Sequence, residues 1–290
     1  MALNVALIKE LRERTGAGMT DCKKALEENN NDIEAACDWL REKGIAKAAK
    51  KSSRIAAEGA TLVYANGNDA IILEVNSETD FVAKSDPFKA LVKEVADFLL
   101  ANKPATIEDA KTITAELFTN ATVKIGEKLD LRRFEIVTKN DNQSFGTYIH
   151  MGGKISTLTL IDGVDAETAQ GLAMHIAANK PLYVTTADIP SDAIANETNI
   201  QMEAAKNDEK LAGKPENVLA NIIKGKVSKI FAESVLVEQD YLLAPGTKIG
   251  NYLKDHKLAV VKFVRFETGE GIAKRVDNFA EEVQKQASGK

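Results

Sequence analysis

The sequence is poor in the residues that build disulfide frameworks, metal centres and membrane anchors. It has two cysteines, Cys22 and Cys37, and three histidines, His150, His175 and His256. The histidines are scattered and none stands at ligand spacing from a cysteine, which disfavours a zinc site. Each cysteine falls on the apolar face of an expected helix and reads as a small, reduced core residue; a disulfide between them is the weaker alternative. No apolar run is long enough to span a bilayer, so no membrane partner is expected. Met1-Ala2-Leu3-Asn4-Val5 lacks the basic start and apolar core of a signal peptide, and Glu10 and Glu13 follow soon after. The expected compartment is the cytoplasm. Basic residues are not in excess either. Lys and Arg number 38 against 43 Asp and Glu, and a net charge of −5 does not favour direct nucleic-acid binding, though it permits a local basic patch.

Catalytic signatures are missing too. There is no Walker A loop, no metalloprotease histidine pair and no serine elbow. Gly269-Glu270-Gly271 is too short for a dinucleotide loop and reads as a strand-to-helix turn. Asp162 and Asp165 lack the rest of a calcium loop and read as a turn and a helix cap. No catalytic residue, cofactor or metal is expected, which points to a binding or regulatory protein rather than an enzyme.

What is present is a 290-residue chain of ordinary globular composition, with 44% apolar and 28% charged residues, enough for more than one domain. Residues 1–45 read as three short helices. Val5, Ile8 and Leu11 share a face of the first, and Gly16-Ala17-Gly18 breaks it. The second, from about Thr20, buries Cys22, Ala25 and Leu26. The third has Asn31 as cap with Glu34 three residues on, a capping-box pattern. Its Ile33, Ala36, Cys37 and Leu40 keep helical spacing, and Gly44 is the expected stop. The basic stretch Lys47 to Arg54 has no apolar period. It reads as a solvated linker or helix end in preference to a nucleic-acid contact.

Residues 59–185 mix strands and helices. Asn66-Gly67 reads as a hairpin turn between apolar runs. Asp86 is the expected cap of a helix with Pro87 at its first position. Phe88, Leu91, Val92, Val95, Phe98 and Leu99 line one face of that helix. Leu131 to Thr138 and Phe145 to His150 read as strands flanking a polar turn. A strand from Lys154 to Ile161 and a helix from Asp165 to Asn179 follow. Residues 187–235 read as a protruding antiparallel helical hairpin broken near Gly213-Lys214-Pro215. Ile200, Met202, Ala204 and Leu211 lie before the break; Val218, Ile222, Val227, Ile230 and Phe231 lie after it. A strand from Leu258 to Phe266 leads into a last helix carrying Ile272, Val276, Phe279 and Val283.

Two features ask for a functional account. Thr79-Asp80-Phe81-Val82 puts a bulky aromatic beside a carboxylate in a short connection between a strand and a helix. Such residues either tuck back under the next helix or work on a partner. There is also an internal echo. Ala101-Asn102-Lys103-Pro104 and Ala178-Asn179-Lys180-Pro181 each close a strand–loop–helix unit, which suggests a structural duplication. The first unit has the longer connection, and the extra residues hold Asp80 and Phe81.

Several motifs together carry a resemblance. They are Leu11 to Met19, Asp21 to Leu26, Thr79 to Lys84, Met174 to Ala178, and Arg265-Phe266-Glu267 with Gly269-Glu270-Gly271. Across essentially its whole length the chain resembles the bacterial translation elongation factor Ts family. The resemblance implies an α+β fold: an N-terminal three-helix bundle similar to ubiquitin-associated domains, a core of two related halves, a protruding helical hairpin and a C-terminal module. The expected divisions are 1–54 for the bundle and linker, 55–150 for the first half of the core, 151–186 with 236–265 for the second half, 187–235 for the hairpin and 266–290 for the C-terminal helix module.

The implied activity is guanine nucleotide exchange on elongation factor Tu, without covalent catalysis. The implied partner is that GTPase in its GDP-bound and nucleotide-free forms, with a homodimer or a 2:2 complex left open. Thr79, Asp80, Phe81 and Val82 match the family's element that dislocates the partner's magnesium. Phe81 would wedge between two partner helices while Asp80 perturbs the network holding the metal. Arg12 and Met19 match the docking contact of the N-terminal module, where Thr20 replaces the methionine of some relatives. Ile125 and Gly126 resemble a contact loop beside the wedge. His150 matches a histidine near it, or is a strand residue satisfied locally. The competing reading, from another class, is an RNA-associated or ubiquitin-like-binding adaptor built on the N-terminal bundle and the basic linker.

Overall fold

The computed structural model describes residues 5–208, 211 and 214–273, with the backbone alone at residues 47 and 48. The chain opens with α1 (Val5–Thr15), α2 (Met19–Glu28) and α3 (Ile33–Lys51). Leu11, Ala17, Cys22, Ala25, Leu26, Ala36 and Leu40 form their shared core. Both cysteines are free thiols, and burial raises the pKa of each above the ordinary value. Val5 is exposed, so the buried face of α1 rests on Leu11 with Ile8 and Leu7 beside it.

Both ends of α3 differ from the sequence reading. Asn31 takes a left-handed φ of 62°, which moves the cap one residue on. Asp32 accepts a hydrogen bond from Ala35 N at 3.0 Å, and Glu34 pairs with Arg14 at 2.6 Å. Gly44 does not stop the helix. It is where α3 crosses α6 (Ile107–Ile125), because a Cβ there would lie 2.3 Å from Val123 Cγ2. The basic stretch is therefore the end of α3 and the turn after it.

The core holds β1 (Glu58–Asn66), β2 (Asp69–Ser77) and β3 (Asp130–Thr138) in one antiparallel sheet of order β1-β2-β3. It holds β4 (Gln143–His150), β5 (Ile155–Asp162) and β6 (Ala259–Glu267) in a second, of order β4-β5-β6. The first hairpin turns on Gly67 and Asn68, with Gly67 at φ 59°. Between the first sheet and its helices lie Ile71, Leu73 and Val75; between the two sheets lie Ala70, Ile72, Val137, Leu158, Leu160 and Phe266. Covered on both faces, β2 reads as a near-continuous apolar run, Ala70 to Val75, interrupted only by Glu74, rather than an alternating one. The polar turn after β3 carries the chain from one sheet to the other. β3 and β4 do not pair, and β4 belongs to the second sheet.

Helix α5 (Asp86–Asn102), capped from Ser85 with Asp86 inside its first turn, covers the first sheet. Phe88, Leu91, Val92, Val95, Ala96 and Leu99 are buried there, and the five larger side chains are worth roughly 1.5–3 kcal/mol each. Phe98 is exposed and lies off that face. Helix α7 (Ala166–Asn179) covers the second sheet, together with α10 (Ile249–Asp255). Thr157 and Thr159 donate to the α7 carbonyls of Ala173 and Ala169, both at 2.7 Å. Asp165 caps α7 through Thr168 N at 2.9 Å, and Asp162 accepts from Gln143 at 2.7 Å.

The sequence echo has a structural counterpart. Lys103 and Lys180 end α5 and α7 in the same left-handed conformation, at φ 45° and 49°. Their amides donate to Leu99 O and Ile176 O. Their ammonium groups bind Asp69 at 2.6 Å and Glu267 at 2.8 Å, each on the sheet that its helix covers.

Helices α8 (Ser191–Lys206) and α9 (Glu216–Ala232) pack on each other through Ala205, Ile223 and Val227. Ile200, Met202, Val218 and Ile230 stay exposed. After β6 comes a turn at 269–271 that is tied to the first sheet. The buried carboxylate of Glu74 accepts from Arg132 Nη1 (3.0 Å), Arg133 Nε (2.6 Å), Asn76 Nδ2 (3.0 Å) and Gly269 N (2.8 Å). The helix expected through Val276, Phe279 and Val283 lies outside the described residues. Among the described residues no helix is long and apolar enough to cross a membrane.

Candidate functional site

The Thr79–Val82 motif is a small helix rather than an irregular connection. Thr79 is the N-cap of α4 (Asp80–Lys84), its hydroxyl accepting from Val82 N at 3.3 Å. Ser85 N and Oγ both donate to Val82 O, which ends the helix after five residues. A helix this short has no stability of its own. It persists because Val82 and Ala83 pack against the first-sheet core. That fixes the opposite direction for Phe81, whose side chain does not tuck under α5: the residue is 83% exposed. Asp80 lies beside it and pairs with Lys84 at 2.6 Å. The Lys84 ammonium holds the Asp80 carboxyl below its usual range, and backbone amides of Asp80 and Phe81 add to the effect.

The loop after α6 is bonded to this helix start. Gly126 caps α6 in a left-handed conformation, φ 87°, and Ile125 is half-buried against the first-sheet core. The next residue, Glu127, accepts from Glu78 N (3.0 Å), Thr79 N (3.0 Å) and Thr79 Oγ1 (2.6 Å). In return Glu78 accepts from Lys128 N at 2.7 Å and pairs with Arg54 at 3.2 Å. Lys51 donates to Gly126 O, and Lys128 Nζ to Arg54 O at 2.8 Å. The basic stretch after α3 thus joins the same node. The sequence singled out Ile125 and Gly126 but gave no sign of the hydrogen bonds of Glu127 and Glu78. They stand about fifty positions apart, and no local periodicity links them.

Arg12 and Met19 flank the turn between α1 and α2, and both are exposed, Met19 by 62%. Thr20 is exposed beside Met19. The turn reaches the end of α6: a Cβ on Gly16 would lie 3.2 Å from Lys124 Cδ. Arg12 and Met19 are thus joined to the Gly126 loop through α6, with no bond of their own to α4. His150, exposed at the end of β4, is 3.1 Å from the Tyr148 hydroxyl through Nδ1. Beyond it Met151, 76% exposed at φ 48°, forms the tip of the β4–β5 hairpin. The tip docks on β1, where Thr61 N donates to Gly153 O at 2.7 Å. Lys154 approaches Glu58 to 3.9 Å, and Glu58 also acts on the Lys84 ammonium of α4. His150 is tied to this end of the sheet through its carbonyl, which accepts from Lys154 N at 3.1 Å. Sequence reading missed Met151; its signal was a methionine placed before two glycines.

The surface is made of one projecting aromatic, a carboxylate, exposed methionines and braced loops. Among the described residues no three His, Cys, Asp or Glu side chains cluster as metal ligands do.

Two family models match the chain. A model described as Elongation factor TS matches residues 78–270, more than half of the chain, and its match begins at Glu78 in the braced loop. A second, described as Elongation factor Ts, mitochondrial, N-terminal, matches residues 1–49, the three-helix region. The chain belongs to the elongation factor Ts family, the nucleotide exchange factors of elongation factor Tu in translation elongation.

Proposed function

We propose that this protein is the bacterial, cytoplasmic form of the factor and that it accelerates GDP release by disturbing the magnesium and phosphate site of elongation factor Tu. The observation that carries this reading is Phe81, projecting 83% exposed from a five-residue helix whose other face is seated in the core. An aromatic held this way costs solvation in the free protein and recovers it only against a partner. Seated between two partner helices, its burial is worth roughly 2 kcal/mol, or about thirtyfold in an equilibrium.

Displacement of those helices acts on the nucleotide through its metal. GDP is held by phosphate contacts and by a magnesium ion bridging phosphate and protein. Magnesium demands a near-octahedral shell, so a small displacement of its ligands lowers affinity steeply. Asp80 supplies the charge that perturbs the ligand network. Thr79 and Val82 hold the helix that carries both side chains. Arg12, Met19, Ile125, Gly126 and His150 form the surrounding contacts. By linkage, whatever factor the protein takes from nucleotide affinity, nucleotide takes from its own binding. It therefore binds the GDP-bound and the nucleotide-free partner, and excess GTP releases it.

The test is the release of a fluorescent GDP analogue from elongation factor Tu. Wild type should accelerate release; Phe81→Ala and Asp80→Ala should lower the maximal rate with folding intact. Full activity of both folded variants would place the exchange surface elsewhere.

A further inference from the structure

We infer that Glu127 is a positioning residue for the wedge: with Glu78 it forms a reciprocal brace that holds α4 in its docking-competent form before any partner arrives. The inference rests on the reading of Phe81 as the acting side chain.

The geometry carries it. The two carboxylates cross. Glu127 takes the amides of Glu78 and Thr79 and the Thr79 hydroxyl, while Glu78 takes the amide of Lys128 and the guanidinium of Arg54. Each loop thus satisfies the other's backbone donors. The Thr79 hydroxyl is shared: it donates to Glu127 and accepts from Val82 N, the cap bond that starts α4. Orienting this hydroxyl toward Glu127 leaves its lone pairs for the helix. The brace and the cap are therefore one hydrogen-bonded unit.

Such a unit matters because α4 spans only five residues, too few to be stable alone. Its inward anchors are two modest side chains, Val82 and Ala83. Without the brace, residues 78–84 sample other conformations, and the partner must select the competent one. Apparent affinity then falls in proportion to the competent fraction. The release step inside the complex is untouched, since docking restores the helix. Loss of the brace should therefore act on binding, and loss of Phe81 on the maximal rate.

A conservative substitution separates positioning from general damage. Glutamine at 127 can still accept from both amides through its carbonyl and donate to the Thr79 hydroxyl, which has acceptor capacity to spare. Alanine can do neither.

The experiment measures nucleotide exchange on elongation factor Tu against factor concentration, for the full chain and its Glu127→Ala, Glu127→Gln and Phe81→Ala variants. Amide hydrogen exchange over residues 78–84 is followed in the free proteins. Glu127→Ala should raise the half-saturating concentration about tenfold with the maximal rate kept, and should lose protection in 78–84. Glu127→Gln should restore most of both. Unchanged half-saturation and protection in Glu127→Ala, with Phe81→Ala defective, would overturn the brace and leave the wedge standing. A normal Phe81→Ala would instead remove the wedge reading on which the brace depends. Equal loss of maximal rate in Glu127→Ala and Glu127→Gln would make Glu127 a direct contact and also overturn the inference.

Discussion

A Cβ on Gly44 would stand 2.3 Å from Val123 Cγ2, well inside van der Waals contact. Helices α3 and α6 cross there only because residue 44 carries no side chain. A glycine inside a helix costs about 1 kcal/mol relative to alanine, so this one gives up helix stability for a close approach. The crossing joins the N-terminal bundle to the core, and α6 ends in the loop whose Glu127 is hydrogen-bonded to the start of α4.

Gly44→Ala should therefore loosen the bundle from the core although alanine is the better helix former. The added methyl meets a branched side chain, and overpacking of this kind costs roughly 1–3 kcal/mol. Thermal unfolding should shift down, and limited proteolysis should increase between residues 51 and 57. An unchanged melt with unchanged proteolysis would mean that Val123 moves aside freely.

Adjacent residues of α4 should separate function from stability. Phe81→Ala removes an exposed side chain and should change unfolding free energy by less than about 0.5 kcal/mol. Val82→Ala removes contacts with the first-sheet core and should cost about 1 kcal/mol. Denaturant titration of the two variants checks the contrast. The larger loss in Phe81→Ala would contradict the exposure of its ring.

These contrasts show where local sequence was informative. The periodicities of α2 and α5 and the apolar run Ala70 to Leu73 of β2 follow from faces that burial dictates. Gly44 misled because a glycine that ends a helix and one that admits a neighbour look alike until the neighbour is known. Asn31 and Asp32 are both good caps, and the left-handed turn at Asn31 chose between them. The strands on either side of the polar turn after β3 were legible, but their membership of different sheets was not, because strand pairing is non-local. At the site, Phe81 was conspicuous by its type, whereas Glu127 was one acidic residue among many until the fold brought it to Thr79.

Gly146→Ala and Gly225→Ala should act with opposite sign. A Cβ at 146 would lie 1.9 Å from the Ala169 carbonyl oxygen, where β4 meets α7. Backbone at both sides cannot yield cheaply, so a loss of roughly 3 kcal/mol or more is expected. A Cβ at 225, on the exposed face of α9, meets nothing within 4 Å. Alanine there should stabilise the hairpin by about 0.5–1 kcal/mol through helix propensity. Thermal unfolding followed by circular dichroism reads both, and a neutral Gly146→Ala would contradict the β4–α7 packing.

Acid should destabilise the fold in two windows. His175 is buried in α7, where Nδ1 accepts from Leu242 N at 3.3 Å and Nε2 donates to Gln239 Oε1 at 2.8 Å. Burial lowers its pKa below the ordinary 6.5, so the unfolded chain takes up a proton first and stability falls as pH drops below about 6.5. Glu267 is held at a pKa of about 2 by Lys180 and then Arg265, against an ordinary 4.5. Its contribution is complete above the unfolded value and is lost as pH falls from about 4.5 towards 2. Lys180 is half-exposed, and solvent screening reduces that contribution to the order of 2 kcal/mol. Unfolding free energy measured from pH 7.5 to 3 should show both slopes. His175→Gln should flatten the upper one and Glu267→Gln the lower one. A variant that left its own window unchanged would show that the slope belongs to other groups.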